Sequence, residues 1–179
     1  MTANTQITSE QREAAELEIR EQQKKFDYDT RDYPVELLVE KYLDGINNHE
    51  DGLFMPIYQR EINWTEKQQS KFIESVLLGL PIASLIFATI YNSEKNSERL
   101  EIIDGGQRIR TLARFLNNEL KLQNLRRIKK LNNFTFSDLP LARQKRFKRS
   151  NLRAIVLTDK THEDIFQFII ELFPKIRIE

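Results

Sequence analysis

The sequence predicts an α+β fold: a small mixed sheet that contains a hairpin, packed by several amphipathic helices. Three observations predict it. Apolar residues recur at helical spacing over Val35 to Ile46, Phe72 to Leu80 and Ile109 to Leu116. Two β-rich runs, 84–91 and 99–103, flank the polar turn Asn92 to Glu98 and can pair as a hairpin. A third β-rich run, 152–157, follows a strongly basic stretch.

Taken in order, residues 9–25 are rich in helix formers but carry a thin apolar stripe, Ala14 and Leu17 among it, so a solvated leader helix is expected within a polar segment 1–32. From residue 33 the pattern sharpens into one domain, 33–179. Pro34 suits the first turn of a helix bearing Val35, Leu38, Val39, Tyr42, Leu43 and Ile46, with Gly45 near its end. Pro56 confines Leu53 to Arg60 to a short edge strand or loop. Thr65 and Gln68 form a capping box ahead of Phe72, Ile73, Val76, Leu77 and Leu80, and Gly79-Leu80-Pro81 stops that helix.

After the two strands, Ile109, Leu112, Ala113 and Leu116 make another amphipathic helix closing near Asn117-Asn118. A connector with Phe134, Phe136 and Pro140 leads to a helix over 141–149, and then to the third strand. Thr161 and Asp164 predict the cap of a final helix carrying Ile165, Phe166, Phe168, Ile169 and Leu172. There is no internal repeat.

At 179 residues the chain suits a single core. It has no cysteine and only His49 and His162, which excludes disulfides, thiolate zinc sites and cysteine nucleophiles and leaves oxygen as the ligand for any metal. No apolar run is long enough to cross a bilayer, so no membrane partner and a cytoplasmic location are expected. The net charge of +1 conceals an asymmetry: residues 1–51 carry 13 acids and 6 Lys or Arg, a sum of −7, whereas residues 121–153 carry 11 Lys or Arg and 1 acid, a sum of +10.

The densest chemistry lies at Ile102 to Leu112, where an apolar strand runs through Asp104-Gly105-Gly106-Gln107-Arg108 into a helix. Gly105 and Gly106 allow positive φ and close backbone approach, so N–H groups entering the helix can face an anion with the helix dipole behind them. Arg108 offers a fork of donors to phosphate, Asp104 can ligate magnesium or orient water, and Gln107 can position a nucleophilic water. The plain alternative is a tight turn in which Asp104 caps the helix and Arg108 pairs with a neighbour. Tyr58-Gln59-Arg60 and Trp64 form a second cluster, in which Arg60 can clamp a phosphate and Tyr58 or Trp64 can stack on a base. Equally, Trp64 fits the hydrophobic staple of the helix that follows.

The basic segment holds Arg126, Arg127, Lys129 and Lys130, interleaved with Leu125, Ile128 and Leu131, and then Arg143, Lys145 and Arg146 on the next helix. Such groups contact a nucleic-acid backbone without reading its sequence, or form a solvated face. No Gly-x-x-x-x-Gly-Lys-Ser/Thr loop and no Gly-x-Ser-x-Gly elbow occurs.

Together, Pro56-x-Tyr58-Gln59-Arg60, Trp64, Ile73-Glu74-Ser75-x-x-Leu78-Gly79-Leu80-Pro81-Ile82, Ile103-Asp104-Gly105-Gly106-Gln107-Arg108-x-x-Thr111-Leu112 and Phe136-Ser137-Asp138-Leu139-Pro140 resemble the N-terminal domain of GmrSD-type modification-dependent restriction enzymes. The resemblance runs from about Tyr33 to Asp164. It implies a ParB/sulfiredoxin-like fold and an Asp-Gly-Gln-Gln-Arg motif that binds and hydrolyses nucleoside triphosphates, coupled to restriction of modified foreign DNA. By position, Asp104, Gln107 and Arg108 would be the catalytic residues and Asp104 the magnesium ligand. Tyr58, Gln59, Arg60, Gly105, Gly106 and Thr111 would bind nucleotide.

Gly106 departs from the motif's first Gln. The family's Arg-x-Asn-x-Gly segment and its helical and nuclease portion have no counterpart in Phe166 to Glu179, so DNA cleavage is not expected of this chain alone. Nucleoside triphosphate and magnesium are the implied cofactors. The candidate partners are DNA, a nuclease-bearing subunit and a second copy of the chain. The alternative is a non-catalytic DNA-binding or partner-binding module that uses segment 121–153.

Overall fold

The computed structural model describes residues 7–25, 27–47, 52–55, 64–92 and 97–158. Tyr58, Gln59, Arg60 and the expected final helix lie outside the described residues, as does Pro56. The architecture is α+β. Among the described residues, five strands form one mixed sheet in the order β1-β5-β3-β4-β2, with β1 at Tyr28–Pro34, β2 at Leu53–Phe54, β3 at Leu85–Asn92, β4 at Ser97–Asp104 and β5 at Asn151–Leu157. The pairs β1/β5 and β3/β4 are antiparallel, whereas β5/β3 and β4/β2 are parallel.

Among the described residues, five α-helices accompany the sheet. The leader helix α1, Ser9–Gln23, is capped by a Thr8/Gln11 capping box and buries none of its residues. By contrast α2, Val35–Ile46, buries Val35, Leu38, Val39 and Tyr42 of the face its spacing predicts, while Leu43 is half-buried and Ile46, at the last position, is exposed. The helix α3, Glu66–Leu78, begins at the Thr65/Gln68 capping box and ends at Gly79 with φ +70°, the left-handed stop that glycine adopts without strain. After the β3/β4 hairpin, α4 spans Gly106–Leu116, and α5 spans Leu141–Lys148.

The core lies between the helices and one sheet face, where Leu38, Ile73, Phe87, Ile102, Leu112 and Phe115 are almost wholly buried. Phe115, Phe136 and Phe147 pack with ring centroids 5.4–5.9 Å apart, tying α4, the 3-10 turn at Phe136–Asp138 and α5 together. The opposite sheet face buries Ile86, Ala88, Ile103 and Leu157.

The strand β1 is the element that sequence patterning misses. Its Tyr-Asp-Thr-Arg-Asp stretch is exposed throughout, so no alternation of apolar and polar residues announces it. What makes it a strand is a partner. It pairs with β5 over seven residues, Tyr28 opposite Leu157 through Pro34 opposite Asn151. The acidic, polar composition suits a sheet edge, where charged side chains discourage further pairing.

The stretch 117–140 crosses the α3 surface with little regular structure beyond 3-10 turns at Lys129–Leu131 and Phe136–Asp138. Its backbone is held by α3 side chains. Ser70 accepts a hydrogen bond from the Gln123 N–H at 3.0 Å, and Glu74, 6% exposed, accepts from the N–H groups of Arg126, Arg127 and Ile128 at 3.3, 2.7 and 3.1 Å. Burial pushes the Glu74 carboxyl upward in pKa, but those three donors and the Arg127 charge prevail and hold it below its ordinary value.

Candidate functional site

The Asp104 turn joins the end of a central strand to the start of α4. A register shift between Ile86 and Phe87 leaves Ile103 as an extra residue in β4, just before Asp104, which then lies opposite Ile86. Gly105 follows with φ +106°, outside the range an L-residue tolerates, and a Cβ there would stand 2.3 Å from Leu85 Cδ2. Gly106 is different: it does not take positive φ but begins the helix, buried. Only the first of the two glycines therefore uses the freedom that the sequence suggests for both. The N-cap position of α4 is Gly105, which carries no side chain to cap the helix, and the positive end of the helix dipole lies at this turn.

Arg108 turns back across this turn. Its Nη2 donates to Asp104 Oδ2 at 2.6 Å and to the Ser84 carbonyl at 3.3 Å, and its Nη1 donates to the Ala83 carbonyl. The Arg108 side chain is 11% exposed and that of Asp104 is 37% exposed. Burial draws the guanidinium below its ordinary pKa, and the Asp104 charge and hydrogen bond oppose that shift. The plain reading of Arg108, pairing with a neighbour, is realised here. It fastens the connection after α3 to the end of β4.

Gln107 projects from the same turn and its Oε1 accepts the Trp64 N–H at 3.4 Å. The Trp64 ring sits edge-on to Phe72, with centroids 5.7 Å apart, so the side chain belongs to the core edge at the start of α3. Thr111 is buried, and its hydroxyl donates to the Gln107 carbonyl one turn earlier at 2.7 Å. One position from Thr111, Arg110 reaches Tyr42 Oη at 3.3 Å and Met55 Sδ at 3.2 Å, while its Nη1 is buried with no hydrogen-bond partner among the described residues. Arg110, Tyr42, Gly45, Ile46 and Met55 line a cavity of about 230 Å³. Met55 and Trp64, the described residues on either side of Tyr58-Gln59-Arg60, thus both dock on α4.

A model of the GmrSD restriction endonuclease N-terminal domain family matches residues 39–177, most of the chain. The chain belongs to this family. No curated protein and no solved structure matches it. In this GmrSD N-terminal domain the matched span contains every candidate site residue, and membership makes the chain a restriction-system module. Among the described residues, no helix is long and apolar enough to cross a membrane.

The basic residues of the GmrSD domain divide between two places. Arg126, Arg127, Lys129, Lys130 and Arg143 converge on the rim of a groove of about 660 Å³ whose walls include Leu77, Leu78, Ile128 and Leu139. Arg143 also lines a neighbouring cavity of about 130 Å³ with Arg146, at the α3 terminus. Lys145 is exposed and lines neither, and Lys148 is engaged by Glu36 at 2.7 Å.

Arg110 and Glu74 are the residues that sequence reasoning passes over. Glu74 carried a signal, an acid beside the apolar Phe72, Ile73, Val76 and Leu77. Arg110 carried none, because a cation in an amphipathic helix ordinarily faces water.

Proposed function

We propose that this GmrSD domain binds a nucleoside triphosphate at the start of α4 and acts as the regulatory, nucleotide-responsive module of a DNA restriction system. The observation that carries this reading is the strand-to-helix turn at the start of α4, whose N-cap is Gly105 with φ +106° and which is bordered by the Asp104 carboxylate and Gln107. Backbone N–H groups there suit phosphate oxygens, and the helix dipole adds to the attraction. Family membership and the ordered motifs around Tyr58-Gln59-Arg60 support it from outside the turn.

Magnesium fits Asp104. Arg108 holds one carboxylate oxygen, the other has no hydrogen-bond partner among the described residues, and magnesium needs only one or two protein carboxylates when phosphates and water complete its shell. Bound with nucleotide, it would neutralise phosphate charge. Arg108 keeps the Asp104 carboxylate in place, Gln107 offers an amide at the phosphate end, and Gly105 lets the backbone approach. Binding is better supported than hydrolysis, since Gly106 supplies no side chain where the motif has its first Gln.

The test is magnesium-dependent binding and phosphate release with several nucleoside triphosphates, comparing the wild type with an Asp104→Ala/Arg108→Ala double variant and with Gln107→Ala. Loss of binding in both variants with the fold retained is expected. Equal binding by all three proteins would refute the reading.

A second reading is favoured by the clustering of Arg126, Arg127, Lys129, Lys130 and Arg143 on one groove: a non-catalytic DNA-binding or partner-binding module. Its DNA form predicts binding that weakens steeply with salt and fails when Arg143, Lys145 and Arg146 are neutralised, yet survives loss of Asp104.

A further inference from the structure

Arg110 is the one charged residue, among the described ones, on the wall of the cavity between α2 and α4. Its guanidinium is poorly satisfied. Nε donates to Tyr42 Oη at 3.3 Å and Nη2 to Met55 Sδ at 3.2 Å, a sulfur that accepts weakly, while Nη1 is buried with no acceptor among the described residues. No carboxylate among them pairs with it. Nor do the carbonyls that end α2 receive a hydrogen bond from it, so Arg110 is not a cap for that helix.

Tyr42 adds a second donor. Its side chain is 5% exposed, and because the hydroxyl oxygen accepts from Arg110, the O–H is left to donate, with no acceptor among the described residues. Two adjacent donors thus converge on one cavity, and one of them carries a full positive charge. Leaving such groups buried and unsatisfied is costly, and a bound anion removes that cost.

The rest of the wall selects among anions. Ile46 and Met55 are apolar, and Gly45 presents no side chain; a Cβ there would overlap the Leu53 carbonyl, so α2 rests directly on β2 and fixes that wall. At about 230 Å³ the cavity far exceeds the roughly 30 Å³ share of one water and falls just under the roughly 300–1,000 Å³ of sites for drug-sized ligands. A fragment-sized ligand suits it. One guanidinium balances the single charge of a carboxylate, whereas a phosphate monoester would bring further charge that no cation on this wall meets.

We propose that the cavity binds a small organic carboxylate, with its oxygens on Arg110 and the Tyr42 hydroxyl and its hydrocarbon body against Ile46 and Met55. The site uses none of the residues of the Asp104 to Arg108 turn and stands independently of the nucleotide reading.

Titration of the full chain with benzoate and with butyrate, followed by heteronuclear NMR, tests it, with benzamide as the neutral match and inorganic phosphate as the competing anion. Saturable shifts centred on Tyr42, Gly45, Ile46, Met55 and Arg110 are expected with a carboxylate, and none with benzamide. Tyr42→Phe removes only the hydroxyl and should weaken binding about tenfold, the loss of one hydrogen bond to a charged group. Arg110→Met keeps a long side chain without the charge and should abolish binding; should it fail to fold, Tyr42→Phe decides. Absence of saturable shifts with both carboxylates overturns the proposal. So does equal binding of benzamide, tighter binding of phosphate, or wild-type affinity in either variant.

Discussion

Arg108 and Asp104 form an ion pair one helical turn apart, at 2.6 Å, and the same guanidinium also ties down the Ala83 and Ser84 carbonyls. One residue thereby joins three pieces of chain: the connection after α3, the end of β4 and the first turn of α4. Lysine has the charge but not the planar fork that such an arrangement requires. Both Arg108→Lys and Arg108→Ala should therefore destabilise the fold, the alanine variant by about 2–3 kcal/mol, since charged hydrogen bonds to partly buried groups are lost. Differential scanning calorimetry checks this; a midpoint lowered by roughly 5–10 °C is expected for a chain of this size. An unchanged midpoint would mean that the clamp carries no stability.

Glu74 provides a pH-dependent contribution whose sign follows from its lowered pKa. Its carboxyl is held below the ordinary value of 4.5 in the fold, so the unfolded chain takes up the proton first as pH falls. The stabilisation is complete well above 4.5 and disappears as pH falls through the lower, folded value. Glu74→Gln should lose about 1–3 kcal/mol at neutral pH, because an amide cannot accept from all three N–H groups as a carboxylate does. Urea unfolding of both proteins from neutral pH down into the acid range should show their difference shrinking below about 4.5. A constant gap would contradict the ionised role.

Two glycines share positive φ but not surroundings, and alanine separates the two costs. At Gly79, φ is +70° and an added Cβ meets nothing within 4 Å, so Gly79→Ala should cost about 1 kcal/mol, from backbone strain alone. At Gly105, φ is +106° and the Cβ would lie 2.3 Å from Leu85 Cδ2, so strain and overlap add. Roughly 2–4 kcal/mol is expected for Gly105→Ala. Chemical denaturation that ranks the two in the opposite order would show that Leu85 yields freely.

The Lys148–Glu36 bridge links α5 to α2 at 2.7 Å, yet the two side chains are 39% and 57% exposed. Solvent screening limits its value, and Lys148→Ala should change stability by less than about 1 kcal/mol. A double-mutant cycle with Glu36→Ala measures the coupling directly.

Much of the fold was legible because its signals are local. The Thr65/Gln68 box, the Gly79 stop, the apolar stripes of α2 and α4 and the two hairpin strands each depend on neighbours within one or two turns. The strand β1 was not legible, because its pairing partner lies more than a hundred residues away and the side chains from Tyr28 to Asp32 face water. The site divides in the same way. Asp104 and Gly105 were readable as a strand-to-helix turn, while which of the two glycines takes positive φ was not: Gly105 does, and the helix has already begun at Gly106.

By itself, then, the sequence determined the helices, the hairpin, the glycine-led turn after β4 and the uneven distribution of charge, since each follows from residue type and short-range spacing. Tertiary structure alone decided which charges are satisfied. It turned Arg108 inward to Asp104, set Glu74 against three backbone N–H groups, buried one Arg110 nitrogen with no hydrogen-bond partner among the described residues, and gathered cations from the 126–130 crossing and α5 around one apolar groove. Charge satisfaction depends on distances between segments remote in sequence, and only the packed chain sets those distances.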